Sequence, residues 1–439
     1  MKFRGLIIAV LVLLVLGGLL YWSDHHKSPE PSTPSASNAS PAILKFDPAA
    51  ATGLSLGRRG APALALAKES GDHWRITAPA AYPADQEAVS SLLGSLSNLG
   101  SDRIVEDKAS DLKAYGLEDP SLTIAISAKD GKERKVLLGD DTPAGGDVYA
   151  MLEGDPRVFT VASFSKTSID KGLSDLRDKR LVTLQPDKVS RVAFARKGES
   201  IEFARTKDGW QILKPGPMRA DSFAVDEFVR SVSGARMDLS GQDPAKGAAG
   251  FAQSVPLGTV TLTGDQGSQI LEVRKNKDDY FAKSSVASGI YKVDSGLGTA
   301  LGKSLEDFRN KKLFDFGYEE PTKIEMHQAG KTWILTHSGN DWWSDGKKLE
   351  AASVNSVIDK LRDLTATVFP TSGFSAPEFE STVTSSQGQH TEKVLFSKTA
   401  NGYVAKRDDE TALYQLDGAA VTDLEKAAAA LKPAGTTGK

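Results

Sequence analysis

No cysteine occurs among the 439 residues. Disulfide frameworks, thiolate metal sites, thiol nucleophiles and an acylated lipoprotein cysteine are therefore excluded. Histidine is scarce, with six: His25, His26, His73, His327, His337 and His390. None stands in a His-x3-His or His-Glu-x-x-His spacing, so the common zinc motifs are missing. No Gly-x4-Gly-Lys-Ser/Thr or Gly-x-Gly-x-x-Gly falls between a strand-like and a helix-like stretch, so phosphate cradling has no support. Net charge is only -3, too little to imply a basic surface that grips nucleic acid. No cofactor is expected.

What is present is ordinary for a folded chain: 40% hydrophobic and 25% charged residues, at a length that suits two to four domains. Met1-Lys2-Phe3-Arg4 is a short basic start, and Gly5 to Trp22 is an uninterrupted apolar run. It ends Gly17-Gly18-Leu19-Leu20-Tyr21-Trp22, with interfacial aromatics and no Ala-x-Ala cleavage site. Residues 1–22 are expected to be a retained transmembrane anchor, with a cleaved signal peptide as the alternative. Lys2 and Arg4 favour a cytoplasmic N-terminus, which puts the rest of the chain outside the cytoplasm. Residues 23–42, rich in proline and serine, read as an extended tether.

Beyond the tether one pattern is written three times. Asp72-His73-Trp74-Arg75-Ile76, Asp208-Gly209-Trp210-Gln211-Ile212 and Asn340-Asp341-Trp342-Trp343 align. A helical stretch follows each, opening at Asp85, Asp221 and Glu350. Val89, Leu92, Leu93 and Leu96 recur at i, i+3, i+4, i+7, as do Val225, Phe228, Val229 and Val232, and again Val354, Val357, Ile358 and Leu361. Two short strands turning at Gly60, Gly198 or Gly330 precede each tryptophan, and two hairpins follow each helix. The last hairpin opens Val148-Tyr149-Ala150, Tyr280-Phe281-Ala282 or Tyr403-Val404-Ala405. A short basic helix closes each unit, ending at Leu181 in the first copy and Leu313 in the second. The expected unit is ββ-α-ββββ-α. The fold class is α+β: an N-terminal transmembrane helix, then three tandem repeats of antiparallel hairpins with an amphipathic helix. Their bounds are 43–182, 183–313 and 314–433, with a flexible tail over 434–439.

Trp74-Arg75-Ile76-Thr77-Ala78-Pro79, Tyr115-Gly116-Leu117, Leu138-Gly139-Asp140 and Asp175-Leu176-Arg177-Asp178-Lys179 resemble a bacterial envelope family known as domain of unknown function 4340. The third copy departs from it by lacking the proline-rich segment after its tryptophan. The resemblance brings no catalytic signature. It implies a single-anchor protein of the inner membrane, its bulk periplasmic, partnered by envelope proteins such as ABC-type transporter components of the gliding-motility kind.

Candidate chemistry is thin. Gly53-Leu54-Ser55-Leu56-Gly57 matches the hydrolase nucleophile elbow, but repeat alignment lays Ser55 in mid-strand, where that strand–turn–helix device cannot form. Asp140, Asp141, Asp147 and Asp155 bracket turns and could hold calcium, yet the Asp-x-Asp-x-Asp-Gly register is missing. Arg177, Lys179, Arg180, Arg309, Lys311 and Lys312 read as cations at helix C-termini. Repetition of Trp74, Trp210 and Trp342 argues for the core, and strand alternation then turns Trp343 outward. Trp343, Tyr149, Tyr280 and Tyr403 are the candidate ligand or partner contacts. Three readings stay open: a non-enzymatic scaffold or interaction protein of an envelope complex, a polysaccharide-binding module, and a carboxylate-based hydrolase. Copy-specific polar residues in one cleft would favour the enzyme, a shared exposed aromatic row would favour sugar binding, and an extended apolar strip on one side would favour a protein partner.

Overall fold

The computed structural model describes residues 43–240 and 244–434. The expected anchor over 1–22, the tether over 23–42 and the tail beyond residue 434 lie outside the described residues. Among the described residues no helix is long and apolar enough to cross a membrane. The architecture is α+β, with three antiparallel sheets of nine, eight and eight strands. The chain divides into two compact units between Asp178 and Lys179. The first sheet lies in one unit, and the second and third lie together in the other.

The second sheet shows the shared plan. Val189–Arg196, Glu199–Thr206, Gly209–Lys214 and Met218–Arg219 form an antiparallel meander. Helix Ser222–Ser233 follows, then a second meander: Val255–Gly264, Gly267–Asn276, Asp279–Ser284 and Ile290–Val293. The first strand of the second meander returns to the first strand of the first, Val192 opposite Leu262 and Phe194 opposite Val260. Two meanders thereby become one sheet. The third sheet repeats this order from Lys347–Lys348 to Leu413–Leu416, and the first from Tyr82–Pro83 to Val158–Ala162. In the first, an additional strand, Arg103–Glu106, pairs outside the last.

Gly60, Gly198 and Gly330 turn the opening hairpin at φ of 74°, 79° and 79°, a left-handed backbone that side chains resist. Asp85 accepts the N–H groups of Glu87 and Ala88 and Asp221 that of Ala224, so both cap their helices. Glu350, in the same place, makes no such bond. Every residue of the three apolar stripes is buried against its own sheet, each side chain contributing roughly 1.5–3 kcal/mol.

Two expectations are corrected. Four strands, not two, precede each helix, because the tryptophan segment is itself a strand: Trp74 and Ile76 face in while Arg75 and Thr77 face out. Strands such as Met218–Arg219 are too short to show a period. The closing helices are also shorter than expected, Leu173–Leu176 and Leu305–Phe308. Arg177 and Arg309 are the C-cap residues of these helices, in extended backbone, and bridge to Ala84 and Ala220. The third copy closes instead with the longer helix Gly418–Ala429.

Candidate interaction surface

The three tryptophans are core residues, at 7%, 5% and 4% exposure for Trp74, Trp210 and Trp342. A base on the next strand sits over each indole. Lys68 lies 6.0 Å from the Trp74 ring, Arg205 lies 4.5 Å from Trp210, and His337 stacks at 5.0 Å on Trp342. A carboxylate completes each set: Asp72 at 3.2 Å from Lys68, Asp226 at 2.8 Å from Arg205, Glu320 at 3.7 Å from His337. The indole N–H groups of Trp210 and Trp342 donate to Asp226 and Glu320. A buried ring with its polar tip bonded is a packing device. It leaves no face free for a sugar.

The catalytic candidates do not converge. Ser55 lies in mid-strand between Ala65 and Ala125, with no histidine opposite. Asp155 is held by Arg157 at 2.5 Å, which keeps its carboxyl below the usual range. Asp140 lies 3.9 Å from Arg59. Among the described residues no group of three or more His, Asp or Glu could hold a metal ion. His327 and His337 have separate partners, Thr332 and Glu380 for the first, Trp342 and Glu320 for the second. A shallow groove of about 230 Å³ lies between Arg196–Lys197 and Pro256–Thr259. Its Arg196 is taken by Glu199 and two carbonyls, and its Glu272 by Arg274.

The four candidate contacts separate as well. Trp343 is exposed at 38% on the outer face of the third sheet, opposite Thr336. Tyr149 is half-buried on an outer face, edge-on to Tyr115 at 4.9 Å. Tyr280 shares the inward side with Ala282, and Tyr403 that with Ala405. Tyr403 is 6% exposed and donates to Glu425 at 3.2 Å. Burial, then the Glu425 charge and hydrogen bond, push its pKa up to about 12. Tyr403 is therefore core, and a contact role for it is corrected. Residues paired like Trp343 in the other sheets are Arg75 and Gln211, so no aromatic row runs through the copies.

What remains open is the outer face of the sheets, and the first is distinctive. Gly53 lies opposite Ala67 and Ser127, Ser55 opposite Ala65 and Ala125, and Gly57 opposite Thr123. Only Thr123 comes within 4 Å of the Cβ position that Gly57 lacks. This is a field of small side chains across three strands, half-buried except for Ala125, which is buried. The outer face of the third sheet differs: Glu325, Glu380, Lys323 and Lys393 pair across it as ions.

The largest feature missed in the sequence is a buried ion network in the second unit. Arg407 and Glu392, 3% and 2% exposed, are joined at 2.9 Å, and Arg219, Asp315, Asp409, Glu410 and Tyr414 surround them. All of these polar residues but Tyr414, which Tyr291 matches in the second copy, are copy-specific. Each is bonded to another, so they form a closed network rather than a cleft with a free nucleophile. Only Tyr414 could have been flagged beforehand, since its strand repeats; the others lie up to 191 positions from Arg219.

Fold and surface together define a repeat protein built from tandem α+β copies. A family model described as Domain of unknown function (DUF4340) matches residues 74–253 and again 210–378, more than half of the chain, and the protein belongs to that family. Both matches begin at aligned tryptophans. No curated protein and no solved structure matches. The family-like motifs have a structural meaning here. Gly116, at φ 66°, would drive a Cβ to 2.4 Å from Asp140, and Gly139 would drive one to 2.0 Å from the Tyr115 carbonyl. Tyr-Gly-Leu and Leu-Gly-Asp thus interlock through two glycines.

Proposed function

We propose that the protein is a membrane-anchored extracytoplasmic scaffold of a bacterial envelope complex, accessory to an ABC-type transporter. Its N-terminal segment would hold it in the inner membrane with the repeats in the periplasm. The observation that carries this reading is the outer face of the first sheet. Gly53, Ser55, Gly57, Ala65, Ala67, Thr123 and Ser127 offer a surface on which a partner can lie with little side-chain entropy to lose. Features kept in every copy, such as the tryptophan with its base, are all packing devices. Repeat proteins present extended surfaces of this kind to partners.

The test is crosslinking and affinity purification of the full chain from native membranes. Transporter or other envelope subunits should be recovered in stoichiometric amount; their absence sinks the reading. A reporter fused at Lys439 tests topology, and cytoplasmic activity there would overturn the orientation. Exposed Trp343 motivates a second reading, polysaccharide binding. Loss of retention on envelope glycan with Trp343→Ala would favour it, and no retention by the intact chain would end it.

A further inference from the structure

Arg219 ends the edge strand of the second sheet, and its side chain leaves that sheet. The guanidinium donates to Asp315 at 2.6 Å, to Glu410 at 3.0 Å, to the Tyr414 hydroxyl at 3.1 Å and to the Lys312 carbonyl. Every one of these acceptors belongs to the third copy or to the segment leading into it. A guanidinium has five N–H groups, so this is near its full capacity. A second arginine braces the receiving site. Arg407 donates to Glu392, Asp409 and the Leu313 carbonyl and lies 3.2 Å from Glu410. Glu392 in turn accepts the Asp315 N–H at 2.9 Å, so the carboxylates that meet Arg219 are already fixed.

The second copy closes the matching position without charge. Gln269 accepts from the N–H groups of Thr183 and Leu184, and Ser284 donates to the Leu181 carbonyl. Strand register sets Gln269 against Glu392 and Ser284 against Arg407. Arg219's own position is held by Pro83 in the first copy and by Lys348 in the third, where the lysine binds Asp341 of its own sheet. The charged joint is thus an addition to the common plan, not a part of it.

Backbone pairing at this joint is confined to one short segment. Arg309 bridges to Ala220 in the second copy, and Lys312 bridges to Thr365 in the third. Between them stand only Asn310 and Lys311, the Asn310 N–H donating to the Arg219 carbonyl and the Lys311 carbonyl accepting from the Ala366 N–H. The ladders fix its direction, while the angle between the sheets is left to side chains, Arg219 first and the Arg309 guanidinium over the Phe369 ring second. We infer that Arg219 is a latch: it makes the second and third copies one rigid body, and its release turns residues 309–313 into a hinge. Burial opposes the charge of Arg219, but Tyr414, Asp315 and Glu410 outweigh it and hold its pKa above the usual range. Burial likewise pushes the Tyr414 hydroxyl up, despite Arg219 and with Glu410, so it stays protonated and donates to Glu410. The latch goes beyond the scaffold reading and does not depend on it.

The absence of cysteine lets two introduced ones report without background. Spin labels at Lys207→Cys and Asn401→Cys, exposed turn positions of the second and third copies, should give a narrow distance distribution in the otherwise native chain. Arg219→Met should broaden it. The same change should speed protease cleavage in residues 309–322 by at least about tenfold, the effect of losing a single charge-assisted hydrogen bond where four are lost. An unchanged distribution and cleavage rate in Arg219→Met would overturn the latch. Should that variant fail to fold, Glu410→Gln and Asp315→Asn keep the arginine and the packing. Broadening in either supports the latch, and native widths in both overturn it.

Discussion

Consider a single methyl group added at Gly139. The Cβ would stand 2.0 Å from the Tyr115 carbonyl oxygen and 3.2 Å from both the Gly116 carbonyl carbon and the Leu117 side chain. Ordinary contact needs well over an ångström more, and the nearest atom is backbone, which cannot swing aside. Either the Tyr115–Leu117 turn lifts off or the strand Glu133–Asp141 bends. Overpacking of that kind costs about 1–3 kcal/mol, and a backbone neighbour puts this case at the upper end. For a unit of this size that corresponds to a fall of roughly 5–10 °C in its Tm. Gly57→Ala is the matched control. Its Cβ meets nothing nearer than Thr123 at 3.9 Å, and its φ is not left-handed. It should be neutral or stabilise by about 0.4–1 kcal/mol through the unfolded chain. Hydrogen exchange over the strand Leu122–Ala128 isolates the first unit from the second. Equal protection in Gly139→Ala and the native protein would refute the interlock of the two motifs.

Four further outcomes follow from the same geometry. Glu392→Gln alone should cost about 1.5–3 kcal/mol in urea unfolding, since it weakens the buried pair with Arg407 and leaves that arginine only Asp409 and Glu410 as carboxylate partners. Adding Arg407→Ser, which copies the Gln269 and Ser284 of the second copy, should recover most of that loss. Trp210→Phe removes the 2.8 Å bond to Asp226 and should cost about 1–2 kcal/mol by denaturant midpoint, whereas Trp343→Ala should stay within about 0.5 kcal/mol. Tyr403 ionises near 12 when folded and near 10 when unfolded. Its contribution is therefore whole below pH 10 and is lost as pH rises from 10 to 12, a slope that Tyr403→Phe should remove from stability measured across that range. Ser55→Ala should leave any esterase turnover of the purified chain at its background level, and a loss would revive the nucleophile.

Much of the fold could be read from the chain because its signals are local and repeated. The stripe Val89, Leu92, Leu93, Leu96 and its two counterparts point to a helix whatever lies elsewhere, and each is buried. Ser55 fell into mid-strand by alignment alone. The sheet order was not legible, because Val192 meets Leu262 through a return across a helix, and no local pattern encodes that pairing. Arg103–Glu106 escaped notice because a four-residue edge strand with a bulge has no period to detect. The tyrosines misled for a different reason. In the aligned triplets Tyr149 occupies the middle place while Tyr280 and Tyr403 occupy the first, so strand alternation sends them to opposite faces. The ion network was invisible because charged residues far apart in sequence look solvated until the fold joins them.

The claim most open to direct test is that the outer face of the first sheet is where a partner lies. A photo-reactive side chain at Ser55 or Ala67, in the full chain in native membranes, should give one discrete adduct with an envelope protein. The same group at Ser91, on the exposed side of the helix Gln86–Ser97, should give none. Adducts at Ser91 with none at Ser55 or Ala67 would contradict the account.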